Sequence, residues 1–433
     1  MSGPEEIRTM MRFALALLLA LPTWLVAADP KVTVTSDVET GIYEPGKTVT
    51  WNIQVQDGDA PASGKISYVV RKGGATEVAK GEAELKEGKA QVPGSRADAG
   101  TLLLEVKYRA AGATKDTTAF GGAAFAPEKV TASMPPPDDF DQFWKEKVAE
   151  LAAVPMNVQL TPVDVGNTQV EYFKITMNNI RGSKIHGQIA RPAGKKDLPA
   201  LLQVQWAGVY PLSRDWVTGH AKNGWLSMNI IAHDLPIDEK PDFYKEKSEK
   251  ELRDYAGIGR EDREKSYFLK MFLSCYRAVD YLTQREDWNK KALVVHGGSQ
   301  GGYQAIVTAG FHPAVTAFAA NVPAGCDHTG HQVGRSPGWP NFPGRRWPQA
   351  DAEKIVTTSR YFDAMNFATK IQCPGLIGLG LVDPVCPPEG ILATVNQMKG
   401  PKKVIIMPRA DHGNNHQAYY AVYGGFLEEQ RKK

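Results

Sequence analysis

The sequence predicts two regions of different build: an all-β, immunoglobulin-like sandwich over residues 30–128, and an α/β domain over residues 135–433 with a mostly parallel, eight-stranded sheet. Three observations carry this reading. The first region alternates apolar and polar residues with period two. The second alternates near-continuous apolar runs with helical segments. A proline run, Pro135-Pro136-Pro137, separates them. The 433 residues suffice for two domains, and a hydrophobic fraction of 42% suffices for their cores. A net charge of +3 supplies neither the basic stripe that nucleic acid demands nor an acidic tail, so no nucleic-acid partner is expected.

Residues 1–28 read as a secretory signal peptide. Arg8 and Arg12 precede the apolar run Phe13 to Leu21, and Ala27 and Ala28 supply small residues for cleavage. Residues 1–10 add nothing an export signal needs, which makes Met11 a second candidate start. The run is shorter than the roughly 20 apolar residues of a spanning helix, and Pro22 interrupts it. The expectation is a secreted or periplasmic protein with no membrane span after cleavage.

In residues 30–128, Val32 and Val34, then Val49, Trp51, Ile53 and Val55, then Ile66, Tyr68 and Val70 alternate with polar neighbours. Turn signals such as Glu44-Pro45-Gly46 and Asp57-Gly58-Asp59 break the runs. Short strands at this spacing suggest a sandwich. The region holds no histidine and no cysteine, so it is expected to be a spacer or packing module. A carbohydrate-binding role, with Tyr43 or Trp51 as a stacking platform, is the alternative.

Asp138 and Asp139 precede the amphipathic run Phe140, Phe143, Trp144, Val148, Leu151, which predicts a capped helix opening the second domain. Eight strands are then expected at 169–177, 184–191, 200–207, 226–233, 292–297, 315–322, 375–381 and 402–407, with helices notably at 264–284 and 388–398. The first two strands form a hairpin. Runs such as Ala292-Leu293-Val294-Val295 read as strands buried on both faces of a helix-covered sheet. Of the four cysteines, Cys373 and Cys386 flank one strand about 20 Å apart, beyond disulfide reach, and free thiols are expected.

Strand 292–297 runs into Gly297-Gly298-Ser299-Gln300-Gly301-Gly302, and Tyr303, Ala305 and Ile306 open a helix. This is G-x-S-x-G between a strand and a helix, the nucleophile elbow of an α/β-hydrolase fold. That fold places its acid and histidine after the serine. Asp383 follows the strand at 375–381, and His412 follows the strand at 402–407. Serine is a poor nucleophile at neutral pH; it needs an imidazole to take its proton and a carboxylate to orient that imidazole. Ser299, Asp383 and His412 are therefore the expected catalytic residues. Asp383 as a helix cap and His416 as the base are the competing readings. His296 is expected to be structural, while His328 and His331 are candidates for lining the pocket.

An oxyanion hole needs two backbone donors. Gln300, after the nucleophile, supplies one. The loop Trp206-Ala207-Gly208-Val209-Tyr210 supplies the other, assigned to Val209 with Tyr210 as the alternative. Trp206, Tyr210, Cys326 and Trp339 are the expected substrate-binding residues. The connection 324–370, with Trp339, Pro340, Phe342, Pro343 and Trp347, is expected to lie at the catalytic face and limit acyl length. H-E-x-x-H, G-x-G-x-x-G after a strand and Walker patterns are absent, so neither metal nor cofactor is expected.

Residues 137–431 resemble the acetyl xylan esterase and cephalosporin C deacetylase group, carbohydrate esterase family seven. The resemblance lies in Pro137-Asp138-Asp139-Phe140-Asp141-Gln142-Phe143-Trp144, Arg277-Ala278-Val279-Asp280-Tyr281-Leu282, the elbow 297–302, Leu381-Val382-Asp383-Pro384-Val385-Cys386-Pro387-Pro388, and His412. It implies an oxyanion donor at Gln300 and action on acetyl esters of sugars and related alcohols. Three positions depart from the family. Ala232-His233-Asp234-Leu235-Pro236 stands where Arg-Gly-Gln is usual, Ala207-Gly208-Val209 where His-Gly-Tyr is usual, and Gly413 where Glu commonly follows the histidine. The expected function is a secreted serine esterase that deacetylates plant polysaccharide or oligosaccharide, with a homo-oligomer possible. A serine peptidase or general carboxylesterase of the same fold is the alternative. An inactive glycan-binding hydrolase-like protein is the second.

Overall fold

The computed structural model describes residues 30–342 and 352–433; the expected signal peptide, Pro343 and Trp347 lie outside them. The sandwich comprises β1 (Lys31–Ser36), β2 (Ile42–Tyr43), β3 (Thr48–Asp57), β4 (Ala60–Pro61), β5 (Lys65–Lys72), β6 (Thr76–Glu84), β7 (Lys89–Ser95), β8 (Gly100–Tyr108) and β9 (Thr117–Phe125). One sheet joins β1, β3, β4 and β7; the other runs β2-β9-β8-β5-β6. Alternation along β3 turns Val49, Trp51, Ile53 and Val55 inwards, against Ile66, Val70, Leu102, Leu104 and Val106. Trp51 has no exposure and Tyr43 is buried, its hydroxyl donating to Asp37 at 2.6 Å. Neither is the exposed stacking platform that was the alternative expectation. Large rings are the natural filling of a small sandwich core.

The second region opens with α1 (Phe140–Ala152), whose Trp144 packs edge-on against Phe311, Phe362 and Phe367. Asp139 does not cap this helix with its side chain; its carboxylate pairs instead with Arg263 at 2.6 Å and accepts from the Tyr361 hydroxyl. There follow β10 (Gln159–Pro162), β11 (Val170–Asn178), β12 (Lys184–Pro192), β13 (Leu198–Val204), α2 (Asp215–Lys222), β14 (Leu226–Ile230), α3 (Pro241–Glu249), α4 (Tyr267–Gln284), β15 (Trp288–Gly298), α5 (Gln300–Phe311), β16 (Ala317–Asn321), α6 (Ala352–Phe362), α7 (Ala364–Ala368), β17 (Gly375–Gly380), α8 (Pro388–Val395), β18 (Lys402–Met407) and α9 (Gln417–Arg431).

Among the described residues these strands form one nine-stranded sheet, β10-β11-β12-β14-β13-β15-β16-β17-β18. The pairs from β14 to β18 are parallel, and β10, β11, β12 and β14 pair antiparallel. The ninth strand, β10, escaped sequence reading because it is an edge strand with all four residues exposed, and so carries no apolar signature. β16 and β17 are buried at every position, as their unbroken apolar runs require. No helix among the described residues is long and apolar enough to cross a membrane. The four cysteines are free, three of them buried.

Burial fixes three histidines in the neutral state. His296 and His328 are pushed down to about 3, and His233 to about 4, because the low-dielectric interior disfavours imidazolium. Between these values and the unfolded value near 6.5, the unfolded chain binds protons that the folded chain excludes. The histidine contribution to stability is therefore full above about pH 6.5 and falls as pH drops towards 4. Each histidine adds a slope of about 1.4 kcal/mol per pH unit within its window. Urea titrations at pH 7, 6 and 5 are expected to show a midpoint that drops steeply below pH 6. His328→Asn is expected to remove roughly a third of the histidine slope, and a pH-independent midpoint would contradict the assignment.

Candidate active site

The carboxyl end of β15 meets α5 at a turn too tight for any side chain at two flanking positions. A Cβ on Gly297 would lie 2.5 Å from the backbone of Gly301, and a Cβ on Gly301 would lie 2.5 Å from the Val204 carbonyl of β13. Glycine lets helix and strands close to this distance. The turn holds Ser299 at φ 53°, ψ −122°, a conformation that side chains rarely adopt. It is fixed from both sides. The Ser299 N–H donates to the Asn321 carbonyl at 2.9 Å, and its carbonyl accepts from Ala324 and Tyr303 at 3.0 Å. Ser299 thus stands half-buried at the N-terminus of α5, where free N–H groups favour negative charge.

Two loops bring partners to its hydroxyl. The turn after β17 carries Asp383 and the turn after β18 carries His412. His412 Nε2 lies 2.9 Å from Ser299 Oγ, and His412 Nδ1 lies 2.8 Å from Asp383 Oδ2. The other oxygen of Asp383 accepts the N–H groups of Val385 and Cys386, both at 2.8 Å. A fully buried carboxylate is tolerable only when hydrogen-bonded in this way. These bonds also answer the helix-cap reading, because Asp383 orders its own turn with one oxygen and holds His412 with the other. His416, the competing base, sits instead between Asn321 and the Asp411 carbonyl. The arrangement can abstract the hydroxyl proton through His412 and stabilise the resulting imidazolium.

A second network ties the loop after β13 to the elbow. Gly208 adopts φ 119°, its carbonyl accepts from His233 Nε2 at 2.9 Å, and its N–H meets the Tyr255 hydroxyl at 3.3 Å. Tyr255 in turn donates to Gln300 Oε1 at 2.5 Å. The Gln300 amide donates to the Gln205 carbonyl at 3.4 Å, and Gln304 bonds that carbonyl at 2.9 Å. With Gly208 engaged, the next backbone donor along the loop is Val209. His233 is neutral, so it donates from Nε2 and accepts from the Tyr267 hydroxyl at Nδ1, 2.7 Å away. It lies in the segment that departs from the Arg-Gly-Gln usual in the resembled family, and it holds the loop through the Gly208 carbonyl.

The expected substrate-binding residues divide. Trp206 is 45% exposed and stacks on Tyr210 at 5.6 Å, with Trp216 edge-on at 5.1 Å. Trp339 is half-buried between the turn after β17 and Tyr255. Its N–H donates to the Val385 carbonyl at 2.8 Å, and its ring lies 6.3 Å from that of Tyr255. Cys326 is corrected: it is buried in the core, with its thiol on the carbonyls of Pro323 and Ala324. The run Ala324–Thr329 dives under α8 rather than over the pocket, and so His328 is also buried, against Tyr303 and Phe342. His331 is exposed on the following turn, and His296 is buried with the Tyr423 hydroxyl on Nδ1.

Sequence reading missed Cys386 as a neighbour of this site. Its sulfur, an Asp383 oxygen and a His412 nitrogen lie within 4.8 Å of one another. Burial and the Asp383 charge push the thiol well above its usual range, which keeps it protonated. Its place in the acid loop was the available signal. His233 and Tyr255 were missed because their role depends on a chain reversal that no local pattern encodes.

An elbow serine at the centre of a mostly parallel sheet, with its partners on the turns of the two last strands, defines an α/β-hydrolase. The profile of the acetyl xylan esterase (AXE1) family matches residues 128–424, and the chain belongs to that family of serine carboxylic-ester hydrolases. Acetyl esterase Axe7A of Xylanibacter ruminicola is a relative, 29% identical over 387 residues, which is 88% of this chain and 86% of that protein. Acetyl xylan esterases from Paenibacillus sp. R4 and Thermoanaerobacterium sp. JW/SL YS485 share the fold, each with a TM-score of 0.60. They are 22% and 19% identical, and they align over 70% of this chain and 98% and 97% of their own.

Replacing His233 by Phe leaves the Gly208 carbonyl and the Tyr267 hydroxyl without this partner inside the protein. The expected cost is about 1–3 kcal/mol of stability. Esterase kcat is expected to fall about tenfold or more as the loop loses its register. Chemical denaturation with p-nitrophenyl acetate kinetics checks both; wild-type kcat in the folded variant would remove His233 from this role.

Proposed function

We propose that this protein removes acetyl groups from acetylated saccharides outside the cytoplasm, through an acetyl-Ser299 intermediate. The observation that carries the reading is the unbroken hydrogen-bonded chain Ser299–His412–Asp383 at the elbow of an acetyl xylan esterase family member. His412 Nε2 takes the Oγ proton as Oγ attacks the ester carbonyl. The N–H groups of Gln300 and Val209 receive the oxyanion. His412 then protonates the departing sugar oxygen. Water, deprotonated by the same imidazole, attacks the acetyl-enzyme and releases acetate. Asp383 stabilises the imidazolium in both halves.

The aromatic group of exposed Trp206 with half-buried Tyr210 and Trp216 supports a saccharide substrate. Trp206 and Tyr210 lie on the loop that carries Val209, with Trp216 of α2 beside them, and the Trp206 ring offers a flat apolar face to a sugar ring. The names of the relatives point to the same substrates, and the apolar leader at residues 13–21 supports export. Acetate release from acetylated xylan, acetylated oligosaccharides and p-nitrophenyl acetate is expected. Ser299→Ala is expected to fold normally and lose activity by several orders of magnitude. Near-wild-type turnover in that variant would refute the assignment, and efficient cleavage of a chromogenic dipeptide amide would favour a peptidase.

Acyl length is set by the wall that Trp339 forms between the acid loop and Tyr255. A wall that fits a methyl group rejects each added methylene at about 1–3 kcal/mol. p-Nitrophenyl butyrate is expected to fall at least roughly tenfold below acetate in kcat/KM. Trp339→Ala is expected to narrow that gap. A flat acyl-length profile in the wild type, or an unchanged gap in the variant, would contradict this role.

A further inference from the structure

The sandwich was expected to be a spacer or a packing module. Two of its strands and two of its loops meet the segment that delivers Asp383, residues 381–389, and they do so at both of its ends.

At the near end, Leu381 lies against β9. A Cβ on Gly122 would come within 2.4 Å of Leu381 Cβ and 2.6 Å of its carbonyl oxygen. Gly122 is thus held at backbone contact, two residues before Asp383. Gly41 approaches the same side chain: its own Cβ would meet Leu381 at 3.0 Å.

At the far end stands Glu389, in the first turn of α8 and six residues after Asp383. Its side chain is 3% exposed. Arg96 of the sandwich grips it with both guanidinium ends, at 2.6 and 3.2 Å. Thr101 adds its N–H at 2.6 Å and its hydroxyl at 3.1 Å. Arg335 adds a further contact at 3.0 Å. Two charges taken this far out of water cost more than a simple packing contact, and only good geometry offsets that cost. A two-pronged guanidinium also fixes direction in a way that a point charge does not. Arg96 is itself braced, by the Thr101 carbonyl at 2.9 Å, by Asp98 at 3.1 Å, and by Gly100, where any Cβ would collide with the guanidinium.

A third anchor reaches the middle of the loop. Gly73 accepts from the Ser336 N–H at 2.8 Å, and Thr76 donates to the Gly334 carbonyl at 3.3 Å. The same segment continues to Trp339, whose N–H holds the Val385 carbonyl.

We infer that the sandwich is a positioning domain for the reaction: Arg96, through Glu389, sets the place of Asp383 and hence the alignment of His412 with Ser299. This inference rests on the proposed Ser299–His412–Asp383 reading. Arg96 touches none of the reacting atoms and acts through the acid loop. The 88% of this chain matched by the Xylanibacter ruminicola relative is more than the residues after the sandwich can supply, so part of the sandwich is shared with that acetyl esterase.

The test is made in the full chain, with p-nitrophenyl acetate as substrate, on Arg96→Ala, Arg96→Lys and Glu389→Gln. Thermal unfolding monitored by circular dichroism confirms that each is folded. Arg96→Ala is expected to lower kcat about tenfold or more with little change in KM, since small misplacements of a catalytic group cost that much. The ascending limb of its pH–kcat/KM profile is expected to move to lower pH, because a displaced Asp383 stabilises the His412 imidazolium less. Arg96→Lys is expected to recover part of kcat. A merely structural role lowers the folded fraction and leaves the pH limb in place, and that result overturns the inference. So does wild-type kcat in the folded variants. If Arg96→Ala does not fold, Arg96→Lys and Glu389→Gln are read by the same criteria. Retained turnover in Ser299→Ala would instead remove the underlying reading, and is a separate result from any in the Arg96 series.

Discussion

Closeness of backbone to backbone at the elbow is the constraint from which the rest follows. α5 crosses β15 and β13 at a separation that leaves no room for a Cβ at Gly297 or Gly301. A helix so close to the sheet forces the turn before it into the strained conformation of Ser299. That strain lifts the hydroxyl clear of the strand end and points the first N–H groups of α5 at the same space. A looser crossing would let the serine relax and fold back on its own helix. The bonds from Asn321, Ala324 and Tyr303 keep the conformation in place.

Around this fixed point the other groups are held by loops, and each loop has its own tether. His412 is held by Asp383, and Asp383 by two N–H groups of its own turn. The loop after β13 is tied to the elbow by the run His233–Gly208–Tyr255–Gln300. The acid loop is gripped at both ends by the sandwich. Loops without such tethers sample many conformations, and the tolerance for a reacting group is a fraction of an ångström. The buried polar groups here are therefore best understood as restraints on position.

The order of strands and helices was legible in the sequence because buried parallel strands write themselves as apolar runs and the sandwich as strict alternation. The elbow was legible because strand, glycine spacing and helix stand together within a dozen residues. Asp383 and His412 could be placed because each follows a strand at the end where this fold builds its site. What stayed hidden depends on contacts between distant segments. β10 carries no apolar residue pattern. Cys326 and His328 sit in a connection whose path under α8 cannot be read from composition. Arg96 and Glu389 are nearly 300 positions apart, and nothing local marks either as buried. His233 looked like a departure from the family pattern, whereas the structure gives it a defined place between Tyr267 and the loop after β13.

The central claim is that Ser299 forms the covalent bond to substrate. A serine-directed organophosphate, added at increasing ratios and followed by peptide mass mapping, tests it without altering the protein. One adduct per chain on the peptide that contains Ser299, with esterase activity lost in proportion to labelling, is the predicted result. Full activity with Ser299 completely labelled, or complete inactivation with the adduct elsewhere, would contradict the account.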